Sequence, residues 1–339
     1  MDKRLINAVA GSGKTQLIIN QLSLNSRILI ITYTQANQAS LKKRVQSKYG
    51  YFPSNIHIFG YWEFLYNFCI VPFTTVPAKG IIFDSNIIRE IDKKRFWSTN
   101  PVYKGYFISK YLSKALLNTS KINYKARIEK YFDSLYIDEV QDFSSDDLDW
   151  IMSLSKLNIP VTFVGDFYQK TYSTSQRGNK GKGIFKKKEN WINLFKKYGF
   201  IVDNQKLIKS RRCSKTVCNF IMQELGIEIH SYTGEESKVE FIDNVNKVKE
   251  IMIDDNIVKL FYNNAKNFKC NSMNWGESKG LTFENVCVVL NKRTYDLFNR
   301  KELAKLAPTT KAKFYVACTR SKHNLYFIDQ NSISKFKKY

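Results

Sequence analysis

The sequence predicts an α/β protein built on parallel sheets, and three observations carry that expectation. Short apolar runs fit for buried strands, LINAVA (5–10), RILIITYT (27–34), SLYIDEV (134–140) and PVTFVGD (160–166), alternate with stretches of helical spacing. The polar chemistry falls at the C-terminal ends of those runs, as it does where crossover helices join parallel strands. A chain of 339 residues, 43% hydrophobic and 25% charged, is long and apolar enough to bury two ordinary cores.

The first strand leads straight into AVAGSGKTQ (8–16), and TQLIINQL behind it sets Leu17, Ile18 and Leu22 at helical spacing. Strand, glycine-rich turn and helix in that order form the context of a phosphate-gripping loop. Gly11 and Gly13 let the backbone around Ala10, Ser12 and Thr15 curl so that successive N–H groups point at phosphate oxygens, with the helix N-terminus adding a favourable dipole. Lys14 is placed to reach the β- and γ-phosphates and Thr15 to offer its hydroxyl to Mg²⁺. Ala8 stands where the pattern usually opens with glycine. By itself the stretch also reads as a chance glycine turn before a helix.

Further along, QANQASLKKRVQSKY (35–49) predicts a helix with polar and basic faces, and IHIFGYWEFLYNF (56–68) a short strand running into an aromatic helix. Residues 71–130 read as largely helical, aromatic and basic. The strand SLYIDEVQD (134–142) then delivers Asp138 and Glu139 side by side. Asp138 is suited to hold Mg²⁺ through its water shell, and Glu139 to orient and deprotonate an attacking water. A DE pair after an apolar strand is a weak signal alone; paired with the glycine turn it becomes a strong one.

The formal charge of +24 asks for a polyanion, nucleic acid above all, although lysines that only decorate solvated faces would give the same total. The densest basic stretch is RGNKGKGIFKKK (177–188). Six cysteines without a C-x-x-C pair read as reduced packing residues. No apolar run approaches the roughly 18 residues that cross a membrane. The expectation is a cytoplasmic protein with no leader and no membrane partner.

Taken in order, the motifs resemble those of superfamily 1 helicases of the UvrD/Rep/PcrA type. AVAGSGKT resembles motif I, ITYTQANQASLKKRV motif Ia, YIDEVQD motif II and VGDFYQKTY motif III; LIKSRRCSKTV resembles motif IV, SKGLTFENV motif V and KFYVACTRSKHNLYFI motif VI. The resemblance implies two RecA-like parallel-sheet P-loop domains in tandem, residues 1–204 and 205–339, with a small helical insertion at about 68–130 in the first. It implies ATP and Mg²⁺ as cofactors, with ATP in a cleft between the domains. Lys14, Asp138 and Glu139 would line one wall; Arg212 and Arg320 would act as arginine fingers from the other. Gln169 would sense the γ-phosphate, and Lys279 would belong to the loop linking ATP to the bound strand. The implied activity is 3′-to-5′ travel on single-stranded DNA by a monomeric motor. Tyr33, Thr34, Trp62, Tyr172, Lys180 and Lys182 are candidate strand contacts, stacking or electrostatic; Trp62 reads equally well as core packing.

Departures from the family pattern are as specific as the matches. No glutamine motif precedes the phosphate loop. Gln16 stands where an arginine often stacks on the base, and Arg211 where motif IV carries an aromatic, which bears on adenine selectivity; Arg211 can still stack through its guanidinium plane. The run STSQRG (173–178) lacks the usual base-stacking tryptophan. The stretch between motifs IV and V leaves no room for the large second insertion. Three readings stay open: a DNA translocase or helicase, an RNA helicase, and a nucleic-acid-gated ATPase switch that recruits a protein partner such as a nuclease.

Overall fold

The computed structural model describes residues 2–74, 78–95, 100–171 and 183–338. From the N-terminus come β1 (Lys3–Asn7), α1 (Lys14–Gln21), β2 (Ile28–Thr32), α2 (Gln35–Tyr49) and β3 (Ile56–Gly60). A single turn, α3 (Tyr61–Glu63), continues without a break into the π-helical stretch Phe64–Ile70. There follow β4 (Ile81–Ile82), α4 (Ser85–Lys94), β5 (Val102–Tyr103), β6 (Tyr106–Ile108), α5 (Ser109–Asn118) and α6 (Tyr124–Tyr131). Then come β7 (Ser134–Asp138), α7 (Ser145–Ser153), β8 (Val161–Gly165), α8 (Lys188–Lys197) and β9 (Ile201–Asp203).

Six of these strands form one sheet in the order β3-β2-β7-β8-β1-β9. β3, β2, β7 and β8 run parallel, as do β1 and β9. All five residues of β2, ILIIT, are buried, as expected for a strand covered on both faces. The register pairs Ile31 with Ile137 and Asp138 with Val164, so Thr32, Asp138 and Gly165 end together at the C-terminal edge of the sheet. α2 begins where Thr34 accepts the Asn37 N–H at 3.1 Å and stops at Gly50, whose φ of 79° closes the helix onto Gln46.

The span 71–130 departs from its largely helical expectation. It holds α4, α5 and α6, and in addition a three-stranded sheet in the order β4-β6-β5. Strands of two or three residues are too short to carry a period-2 pattern. Asp92 on α4 is buried, accepting from the Tyr111 hydroxyl and from Lys110, both at 2.7 Å, beside a small core of Ile88, Ile91 and Ile108. Asp147 on α7 accepts from the Tyr61 hydroxyl at 3.1 Å and from Ser113, tying α3 and α5 to the main sheet's helix layer.

The rest of the chain carries β10 (Lys209–Ser210), α9 (Lys215–Leu225), β11 (His230–Ser231), β12 (Val239–Phe241), α10 (Val245–Ile253), β13 (Ile257–Phe261) and β14 (Ser272–Asn274). β15 (Asn285–Leu290), α11 (Lys292–Asn299), α12 (Pro308–Cys318) and β16 (Leu325–Asp329) complete it. Five strands pair in the order β12-β16-β15-β13-β14, every pair parallel. Alternate residues serve two cores: Leu260, Val288 and Phe327 face one, and Phe261, Val289 and Ile328 the other. Both faces of this sheet are therefore covered.

By internal contacts the chain divides into two compact units. One comprises Met1–Ile6, Thr15–Gly165 and Ser173–Asp203; the other comprises Asn7–Lys14, Asp166–Tyr172 and Asn204–Tyr339. The glycine-rich turn thus groups with the second unit, where Val9 and Ala10 join its core. Among the described residues no helix is long and apolar enough to cross a membrane.

Candidate functional site

The glycine-rich turn has the backbone its sequence asks for. Gly11 and Gly13 take φ of 71° and 92°, and the Ser12 hydroxyl donates to the Val9 carbonyl at 2.8 Å, tightening the bend that puts Lys14 at the first position of α1. The Gly11 carbonyl accepts the Arg211 N–H at 2.9 Å, and a Cβ at Gly11 would lie 2.7 Å from both Arg212 Cβ and Ser210 Oγ. Only glycine fits there.

Three other motifs of the same unit meet this turn. The Ala10 N–H donates to the Tyr315 hydroxyl at 2.9 Å, and that hydroxyl donates to Asp166 Oδ2 at 3.2 Å. Gln169 Nε2 donates to the same Oδ2 at 2.8 Å, while Oδ1 accepts the Tyr168 N–H at 3.0 Å. Burial and the neighbouring Asp166 charge push the Tyr315 phenol well above its ordinary range, so it keeps the proton it donates. Arg212 is half-buried, with Nη1 donating to the Thr319 carbonyl at 3.1 Å. Arg320 is buried, donating to the carbonyls of Val316 and Leu281 at 2.9 and 3.1 Å and to the Thr319 hydroxyl at 3.1 Å. Arg211 is exposed, with its guanidinium 4.2 Å from the centre of the Tyr232 ring.

In the other unit, Asp138 is buried at the end of β7, and its Oδ1 accepts the Glu139 N–H at 3.0 Å. Glu139 is a non-glycine residue at φ 55°, a left-handed conformation that costs energy and that its surroundings hold in place. Its carboxylate accepts from the Gln141 side chain. Gly165, at the end of the neighbouring strand, has no room for a Cβ, which would run into the Gln141 amide and come within 2.8 Å of Val140 Cγ1. Thr15 is half-buried. Gln16 is exposed, bonded to Asn20 at 2.8 Å and to Arg44 at 3.2 Å.

The candidate strand contacts divide. Tyr33 and Trp62 line one cavity of about 580 Å³ together with Tyr66, Phe83, Gln35 and Asn67. Trp62 is half-buried and meets Phe83 edge-on, the ring centres 5.9 Å apart. Tyr33 packs edge-on against Phe143 at 5.9 Å. The Thr34 hydroxyl is engaged as the cap of α2. Lys279 is half-buried in the turn before Gly280, at φ 87°. Tyr172, Lys180 and Lys182 lie outside the described residues.

The family described as the viral superfamily 1 RNA helicase core domain matches residues 125–329, more than half of the chain. The chain belongs to that family. Among solved structures, this helicase core is similar to the crystal structure of Arterivirus nonstructural protein 10 (helicase), with a TM-score of 0.51 at 14% identity over 99% of this chain and 62% of that one. The complex of Arterivirus nonstructural protein 10 (helicase) with DNA gives 0.51 at 15% identity, over 99% and 63% of the two chains. The structure of PRRSV helicase gives 0.51 at 13% identity, over 98% and 53%. At these identities the likeness is one of fold, and the present chain spans less than two thirds of those chains. No curated protein matches it. The expected superfamily holds, and the parallel sheets of both units are those of tandem RecA-like helicase domains.

Several residues of this helicase core carried no sequence signal of their own. Tyr315 sits inside motif VI but binds a backbone amide 305 positions away. Tyr232 follows β11, parallel to β10, and so comes to lie under Arg211. Phe83 reaches the aromatic cavity from the link between β4 and α4, where no motif marked it.

Proposed function

We propose that this helicase core hydrolyses ATP and uses the cycle to move along single-stranded DNA, as a motor of the UvrD/Rep/PcrA kind whose two RecA-like domains are residues 1–204 and 205–339. The single observation that carries the reading is the convergence at the glycine-rich turn. Ala10 and Gly11 of motif I are hydrogen-bonded to Tyr315 of motif VI and Arg211 of motif IV, and Gln169 of motif III shares the Asp166 carboxylate with Tyr315. Ser12, Gly13 and Thr15 would hold phosphate oxygens, with Lys14 as the cation at the β- and γ-phosphates. Glu139 would take the proton of the attacking water, and Arg212 and Arg320 would meet charge developing on the transferred group.

Mg²⁺ fits the donors present. Thr15 and Asp138 offer a hydroxyl and a carboxylate, hard oxygens of the kind this ion takes one or two at a time beside substrate phosphates. The ion would neutralise phosphate charge; the chain's part is to orient it.

The aromatic cavity supports sequence-independent strand binding, since stacking needs only the π-face that every base has. RNA as the strand is a second reading, favoured by the family's description as an RNA helicase core. ATP hydrolysis measured with no nucleic acid, with single-stranded DNA and with single-stranded RNA, against Lys14→Ala, tests both. Stimulation by DNA that the variant lacks is the expected result; stimulation by RNA alone would select the second reading, and none by either would overturn the motor. Duplexes with 3′ and 5′ tails test the 3′-to-5′ direction.

A further inference from the structure

We propose that the Tyr315 hydroxyl is a positioning group that fixes the glycine-rich turn and the Gln169 amide in one arrangement, so that the third phosphate of the nucleotide is read by both together. The inference rests on the ATPase reading above and adds a residue and a mechanism of discrimination to it.

The geometry is a chain of direct, buried hydrogen bonds. Tyr315 is 0% exposed, Asp166 1% and Gln169 3%. A phenol has one proton to give, and here it goes to Asp166 while an oxygen lone pair takes the Ala10 N–H. Tyr315 and Gln169 both donate to Asp166 Oδ2, so losing one alters how firmly the other is held. Gln169 Nε2 spends one hydrogen on Asp166 and keeps a second, the one a phosphate oxygen would accept. Its direction is set by the carboxylate, and the carboxylate is set in part by Tyr315.

The phenol is itself held rigidly. It projects from α12, whose Phe314, Val316, Ala317 and Cys318 are buried, and its ring meets Tyr168 at 6.0 Å. The Ala10 amide is one of the turn's own N–H groups, so the same oxygen that positions Asp166 also fixes the start of the phosphate cradle. Two elements that must both be right for a triphosphate, and only one of which matters for a diphosphate, are thus tied to one buried atom.

The test compares affinities for a non-hydrolysable ATP analogue and for ADP in wild type, Tyr315→Phe, Gln169→Ala and the double variant, with thermal unfolding followed in parallel. Phenylalanine keeps the ring and removes only the oxygen. The preference for the analogue over ADP should fall about tenfold in Tyr315→Phe, the scale of a lost buried hydrogen bond to a charged group. The double variant should lose little beyond Gln169→Ala, because the two act as one unit. Asp166→Asn, which weakens the shared acceptor, should give the same loss and serves if Tyr315→Phe does not fold. An unchanged preference in Tyr315→Phe or Asp166→Asn, or fully additive losses in the double variant, would overturn the inference. A variant that only populates less folded protein lowers both affinities and leaves their ratio alone, which also counts against it. Wild type that binds neither nucleotide would remove the ATPase reading itself, a result distinct from any of these.

Discussion

At the scale of single residues, the backbone states the chemistry most sharply. Glu139 is held at a positive φ with its carboxylate bonded to Gln141, an arrangement that fixes where an oxygen could take a proton. Glu139→Gln should keep ATP binding and lower turnover by about 100-fold or more, the range for loss of a general base, as steady-state hydrolysis beside equilibrium nucleotide binding would read out. Gly165 makes a second, purely steric prediction. A Cβ there would crowd Val140 and Gln141 so closely that Gly165→Ala should cost about 1–3 kcal/mol of stability, visible in thermal or denaturant unfolding. That Lys14 and Thr15 open a helix behind a glycine turn, and that Asp138 and Glu139 stand at the end of a buried strand, was legible because each lies within a few positions of the turn or the apolar run. Tyr315 and Tyr232 were not, since the partners that give them meaning arrive only when distant segments fold together.

Elements were legible in proportion to their length and burial. β2, β7 and β8 announce themselves as apolar runs ending in polar residues, and the structure puts those ends at one sheet edge. The aromatic helix was expected, but its π-helical winding over Phe64–Ile70 was not, because hydrophobic spacing in seven residues does not separate periods that close. The small sheet β4-β6-β5 was missed for the same reason of length. Trp62, which the sequence left level between strand contact and core packing, is half-buried, lines an aromatic cavity with Tyr33 and meets Tyr61 and Phe83. Trp62→Ala should weaken binding of a single strand by about 1–3 kcal/mol, the scale of one base stacked on an aromatic ring, as measured by fluorescence anisotropy of a labelled oligonucleotide.

On the scale of the whole molecule the dominant fact is charge. A net +24 on 339 residues makes attraction to a polyanion a property of the chain, before any groove is considered. Replacing Lys180, Lys182, Lys186, Lys187 and Lys188 with glutamine should weaken strand binding and flatten its dependence on salt, by roughly 0.7 in the log–log slope for each phosphate the protein no longer neutralises. An unchanged slope would mark that stretch as merely solvated. The aromatic cavity has an optical consequence as well. Five tryptophans are spread along the chain; Trp150, Trp191 and Trp275 are fully buried, and Trp97 lies outside the described residues. Of those described, Trp62 alone borders open space large enough for a base. Excited at the red edge of indole absorption, the protein should dim as a strand fills that cavity, and Trp62→Phe should abolish the change. The chain would then report its own occupancy without a label.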